Sequence, residues 1–271
     1  MNKLKEIENA SKRIRRSIIT MTYNAGSYGA HIGGGLSLPE ILATLYLGVM
    51  NISPCTKENE NRDRFVLSKG HGAIALYATL KEAGFITEEQ LLTFKYDGAD
   101  FWTHPCKNTQ YGIEFSSGSL GQGLSLAAGV ALALRRKCNS AHIYVVIGDG
   151  ECDEGAIWEA ASFISHHMLN NITVIVDENK LQLDAPTKEI INKEDLSRRW
   201  EAFGFETIPA DGHNVENLLD AFNHKSEKPI AIIARTVKGK GVSFIENNPE
   251  WHVHPLTKEQ FKQAIKELDD D

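Results

Sequence analysis

No stretch of this 271-residue chain approaches the ~20 consecutive apolar residues of a membrane-spanning helix, so no such helix is expected. From Met1 to Arg16 lysines, arginines and glutamates occupy the place where a secretory leader would have an apolar core, which points to a cytoplasmic protein. Cysteine is scarce. Cys55, Cys106, Cys138 and Cys152 are widely spaced with no C-x-x-C pair, which argues against a structural zinc site and predicts reduced thiols. An excess of positive charge is also missing: the formal net charge is −7, leaving no electrostatic footprint for nucleic acid. The local run Lys12, Arg13, Arg15, Arg16 reads as a solvated face of the first helix. No repeat, low-complexity linker or shift in composition marks a boundary. With 42% hydrophobic and 24% charged residues, the expectation is one soluble α/β domain over 1–271.

Two common nucleotide fingerprints are absent as well. A dinucleotide-binding turn starting at Gly148 would need glycine where Asp153 stands, and no G-x-x-x-x-G-K-[ST] occurs. Gly239-Lys240 comes closest, but Ala234 occupies the position of the first P-loop glycine.

What the chain does have is a strand-helix-strand pattern. The apolar run His142 to Ile147 stops at Gly148-Asp149-Gly150, and a second run, Ile172 to Asp177, stops at Glu178-Asn179. Ala156 to Met168 between them has helical composition, so the unit predicts a parallel sheet. Ile230 to Ala234 reads as another central strand. Helices are expected over Leu38 to Leu47, Ala73 to Ala83, Leu120 to Arg136, Val215 to His224 and Lys258 to Leu268.

A right-handed βαβ unit brings the carboxyl ends of its strands to one sheet edge. Neighbouring strands lie roughly 4.8 Å apart, so Asp149 and Asn179 could share a small cation, and their oxygens suit Mg²⁺ or Ca²⁺. Gly150 allows close approach to the backbone, and a helix starting near Gly155 would aim its amino end at phosphate. Asp149, Glu151, Asp153 and Glu154 crowd the same turn with negative charge and would repel a bare diphosphate. A divalent metal between the two removes that conflict.

G-D-G alone is a weak pattern; its company is specific. Leu67-Ser-Lys-Gly-His71-Gly, Trp102-Thr-His104-Pro, Ser117-Gly118-Ser-Leu120-Gly-Gln-Gly123, Asp211-Gly-His213-Asn and Gly239-Lys-Gly-Val-Ser occur in that order around it. At these residues, from about Asn24 to His252, the sequence resembles the amino-terminal section of transketolase. The resemblance implies a thiamine diphosphate-binding fold, a parallel sheet with helices on both faces.

It further implies that Mg²⁺, for which Ca²⁺ can substitute, is coordinated by Asp149, Asn179 and the Leu181 carbonyl, with diphosphate oxygens completing the shell. His71, His252 and the Gly150 backbone would contact the diphosphate, and Gly118, Ser119 and Leu120 would line the aminopyrimidine. His31, in Gly29-Ala-His-Ile-Gly-Gly34, and His104 match the family's active-site histidines, which with His252 would serve the substrate oxygens and shuttle protons near neutral pH. Trp251-His252-Val253-His254-Pro255 departs from the family pattern, so either histidine there is a candidate for the diphosphate. Glu154 and Glu159 fall where the family has carboxylates linking paired active sites, and a first-turn helix residue favoured by the macrodipole is the plainer reading of Glu154.

In the family the glutamate that activates the cofactor and the groups gripping the sugar phosphate lie in a following pyrimidine-binding domain, which this sequence does not contain. The resemblance therefore implies a second subunit carrying that domain and an α₂β₂ assembly with composite sites. Competing readings are the α subunit of a 2-oxo acid dehydrogenase, which shares G-D-G and the metal asparagine, a deoxyxylulose-phosphate synthase fragment, and a non-catalytic cofactor-binding protein.

Overall fold

The computed structural model describes residues 2–183, 185–193 and 195–270. Its strands are β1 (Arg64–Leu67), β2 (Ile143–Gly148), β3 (Ile172–Glu178), β4 (Glu206–Asp211) and β5 (Ile230–Arg235). They form one all-parallel sheet in the order β1-β2-β3-β5-β4. The three central strands read as unbroken apolar runs because both of their faces are covered. Side chains alternate between two cores. Val145, Ile147, Val174 and Val176 enter one; Tyr144, Val146, Ile175 and Ile232 enter the other.

The helices, in chain order, are α1 (Lys3–Asn24), α2 (Ile32–Leu36), α3 (Pro39–Ala43), α4 (Ala73–Glu82), α5 (Glu88–Leu91), α6 (Gln122–Arg136), α7 (Gly155–His166), α8 (Thr187–Ile190), α9 (Leu196–Ala202), α10 (Val215–Asn223) and α11 (Lys258–Asp270). α6, α7 and α9 cover one face, while α1, α3, α4 and α10 cover the other. No helix among the described residues is long and apolar enough to cross a membrane.

Several boundaries differ from the sequence reading for local reasons. The helix expected from Leu38 continues past α3 as a π-helix over Thr44–Val49. α6 starts at Gln122 because Gly121 is left-handed, with φ +82°. α7 stops at His166, and Met168 then takes φ +49°. β1 is too short to stand out, and β4, Glu-Thr-Ile-Pro-Ala-Asp, is a half-exposed edge strand in which proline is tolerated.

The basic run is not simply a solvated face. Arg15 is 5% exposed, and its Nη2 donates to both oxygens of Glu40 at 2.7 and 2.9 Å. Arg13 and Arg16 do lie on the surface, where they pair with Glu82 and Asp269.

Candidate active site

Gly148 of β2 is in register with Asp177 of β3, so the chain emerges from both strands side by side. The Asp149 carboxylate accepts the N–H of Gly150 at 2.9 Å and of Lys180 at 2.7 Å. Lys180 adopts φ +63°, and this left-handed residue turns the loop so that the Asn179 amide oxygen accepts the Leu181 N–H at 3.1 Å. A β-carbon on Gly150 would sit 2.8 Å from Gln182 Cγ, so the two turns touch only because position 150 has no side chain. Burial, then the neighbouring Asp177 carboxylate, push the Asp149 pKa up to about 7. A cation at these oxygens would offset both effects.

The acidic turn is less crowded than its sequence suggests. Glu151 points inward, is 2% exposed, and accepts from Ser68 Oγ, from the Gly121 N–H at 2.9 Å and from the Gly148 N–H at 3.1 Å. Asp153 pairs with Lys193 at 2.8 Å. A 3₁₀ turn, Gly150–Asp153, separates Asp149 from α7, so the first amides after the strand belong to that turn and not to the helix.

Below the pair lies a buried network that the sequence reading missed. Asp177 is fully buried; it accepts from Lys69 Nζ, from Ser37 Oγ at 2.6 Å, from Thr236 Oγ1, and from Asn179 Nδ2 at 3.3 Å. Burial alone would raise its pKa, but the Lys69 ammonium and the hydrogen bonds outweigh burial and hold it below the carboxylate range. Lys69 also donates to the Gly34 carbonyl at 3.3 Å, which ties this network to the histidines.

Four histidines from distant segments converge. The His31 ring centroid lies 5.9 Å from His71, 5.3 Å from His104 and 5.2 Å from His252, and His71 lies 5.6 Å from His252. His254 does not join them: it packs on Trp251 at 4.4 Å and sits in a bridge with Ala30. Burial first, then the charges of His252, His104, Lys95 and Lys238, lower His31 to about 3. Burial and Lys69 take His71 well below the ordinary value, and burial and Lys95 lower His104. Neutral rings present one donor and one acceptor each. His31 Nδ1 is buried without a hydrogen-bond partner among the described residues, as expected of a group that faces a ligand.

The loop carrying Gly118, Ser119 and Leu120 closes one side. A β-carbon on Gly70 would lie 2.8 Å from Gly118 N, and one on Gly118 would lie 3.4 Å from His104 Cγ. Lys238, also missed from sequence although it adjoins the Gly239-Lys-Gly segment, joins the two halves. It is 2% exposed; its Nζ donates to the Gln182 carbonyl at 2.9 Å and lies 3.3 Å from His252 Nδ1. Glu154 and Glu159 stay exposed at the start of α7, with Glu154 against Gly121.

The arrangement suits a polyanion held through a cation. Asp149, Asn179 and the Leu181 carbonyl are hard oxygen donors, and Lys238, His71 and His252 offer N–H groups on the other side. A cavity of about 770 Å³ opens beside the oxygen donors, lined by Asp149, Asn179, Leu181, Arg235 and Val237 among others. No group of three or more His, Cys, Asp or Glu able to hold a metal occurs among the described residues, so a cation here would need oxygens from its ligand as well.

Comparison with known proteins gives the family. Residues 8–270 match the thiamine diphosphate binding domain of transketolase. The chain belongs to the transketolase family. It is 40% identical over 269 residues to an apulose-4-phosphate transketolase subunit from Actinobacillus succinogenes, covering 98% of this chain and 97% of that one. It is 43% identical over 242 residues to 6-deoxy-6-sulfo-D-fructose transketolase subunit SqwG of Clostridium sp., covering 88% of each. The crystal structure of Campylobacter jejuni transketolase superposes with a TM-score of 0.87 at 30% identity, over 99% of this chain but 43% of that one. The sequence thus spans less than half of that transketolase chain, and nearly all of the relatives named as subunits. The parallel-sheet, thiamine diphosphate-binding fold is that of the family.

Proposed function

We propose that this chain is the diphosphate-and-metal half of a two-chain transketolase, one domain over 1–271 that acts in the cytoplasm with a second subunit. The reaction is transfer of a two-carbon ketol unit from a ketose phosphate to an aldose phosphate. Bound thiamine diphosphate would supply the nucleophilic carbon and the electron sink. The observation that carries the reading is the convergence of His31, His71, His104 and His252 next to the Asp149–Asn179 oxygen pair.

In this reading Asp149, Asn179 and the Leu181 carbonyl hold Mg²⁺, or Ca²⁺ in its place. Lys238, His71, His252 and the Gly150 backbone bind the diphosphate, and Gly118, Ser119 and Leu120 contact the aminopyrimidine. His31 and His104, kept neutral by burial and neighbouring cations, give and take protons at the substrate's hydroxyl and carbonyl oxygens; such positioned groups contribute about 10²–10⁴-fold. Glu154 and Glu159 reach across a subunit interface in an α₂β₂ assembly. The activating glutamate, the pyrimidine-binding and C-terminal domains, and the sugar-phosphate grip belong to the partner.

The test is transketolase turnover with thiamine diphosphate and Mg²⁺, on the chain alone and with its co-purifying partner. Xylulose 5-phosphate is the first donor and ribose 5-phosphate the acceptor. Relatives named for apulose-4-phosphate and 6-deoxy-6-sulfo-D-fructose make those ketoses the next donors to try. Activity in the isolated chain would sink the two-chain reading. A mixture that binds cofactor and turns over no ketose would favour a binding role.

A further inference from the structure

Lys95 lies outside every motif that carries the family resemblance, yet it touches both loops that deliver the proton-handling histidines. Its Nζ donates to the carbonyls of Gly29 at 2.8 Å and Tyr28 at 3.3 Å, two and three residues before His31. Its own N–H donates to the Phe101 carbonyl at 2.9 Å, closing the 95–101 loop that leads into Trp102 and His104. The backbone of Lys95 adopts φ +62°, a left-handed conformation that is unfavourable for a non-glycine residue and persists where surrounding contacts fix it. An open cleft of about 600 Å³ flanks the residue, lined by Tyr28, Lys95, Tyr96, Asp97, Trp102 and Thr103.

We infer that Lys95 is a positioning residue, which staples the segment before His31 to the segment before His104 and keeps a fixed positive charge beside both rings. The inference rests on the proposed proton-handling role of those two histidines. Its electrostatic side follows from their surroundings. Lys95 is the cation that, after burial, acts on His104; His31 also feels His252, His104 and Lys238. The Lys95 side chain is itself only half-buried, Asp97 is the acidic group in the flanking cleft, and the Phe94 ring centroid lies 5.7 Å from Nζ. A cation placed there opposes a positive charge on either imidazole, so both rings stay neutral and each presents one N–H and one lone pair to a substrate oxygen.

The test is an NMR titration of histidine-labelled full-length chain, with His31 and His104 signals assigned through H31Q and H104Q. It needs no substrate, cofactor or partner, so its failure is distinct from failure of the transketolase reading. In K95M, K95Q and a form with acetyl-lysine at position 95, which keeps the stem and one N–H donor, the His31 and His104 midpoints should move upward. K95R should restore both shifted midpoints. Unchanged midpoints in a folded neutral variant would overturn the inference, as would K95R behaving like K95M. Loss of the fold in all neutral forms would also overturn it, by assigning Lys95 to overall stability.

Discussion

Replacing Arg15 with methionine tests how the buried ion pair supports the site. Arg15 and Glu40 side chains are 6% and 9% exposed, and Glu40 also accepts from His213 Nδ1 at 3.0 Å. His213 Nε2 in turn accepts the Val237 N–H at 2.9 Å, and Arg15 Nε donates to the Lys240 carbonyl at 2.9 Å, so the network grips the loop on both sides of Lys238. Removing one member of a buried pair leaves the other charge uncompensated, which typically costs about 3–5 kcal/mol. R15M should therefore lower the urea midpoint by that equivalent, while R15M/E40M recovers much of the loss because neither charge is then stranded. The pH dependence has a defined sign. Burial alone would raise the Glu40 pKa, but the His213 hydrogen bond and the Arg15 charge outweigh it, so the folded value lies below 4.5. The carboxylate's contribution is thus complete above pH 4.5 and is lost as pH falls through the folded value; R15M should lose much of that acid-side slope. A single-mutant loss under about 1 kcal/mol, or a double mutant as costly as the sum of the singles, would refute the reasoning.

Other outcomes follow from the site. H31A and H104A should each cut turnover of the assembled enzyme about 10²–10⁴-fold while leaving thiamine diphosphate affinity nearly unchanged; an equal loss of affinity would place them on the cofactor instead. H71A and K238M should do the reverse, weakening cofactor retention in calorimetry before they affect the chemistry. G70A drives a β-carbon to within 2.8 Å of Gly118 N, so about 1–3 kcal/mol of stability should be lost on urea unfolding, and an unchanged midpoint would contradict the loop contact. Chelation of divalent cations should release thiamine diphosphate, read by tryptophan fluorescence, with recovery on adding Mg²⁺ or Ca²⁺; retention of cofactor after chelation would remove the metal from the binding scheme.

The sheet was legible where its physics writes itself locally. β2, β3 and β5 are covered on both faces, so each is an apolar run ending in turn residues, and Asp149 and Asn179 could be placed at one edge from strand adjacency alone. β1 has four residues, and β4 mixes Glu206, Thr207 and Pro209 with its apolar positions; neither leaves a pattern at that scale. The histidines were legible only through motif company. Nothing in the spacing of His31, His71, His104 and His252 predicts rings 5–6 Å apart, because the convergence is made by loops returning to one end of the sheet.

What stayed hidden was charge compensation, and it stayed hidden for one reason. A lysine or arginine in sequence looks like a surface residue until the carboxylate that draws it inward is known, and those partners are far along the chain: Lys69 with Asp177, Arg15 with Glu40, Lys193 with Asp153. The same pairings resolve part of the repulsion that the acidic turn suggested, since Glu151 is spent on Ser68, Gly121 and Gly148 and Asp153 on Lys193. Asp149 is left as the acidic side chain of that turn with burial and a neighbouring carboxylate raising its pKa and main-chain N–H groups opposing them. In the proposed scheme the cation therefore sits on one carboxylate at the edge of β2 rather than on a diffuse patch, so removing Asp149 should abolish divalent-cation binding while removing Glu151 should cost fold stability first.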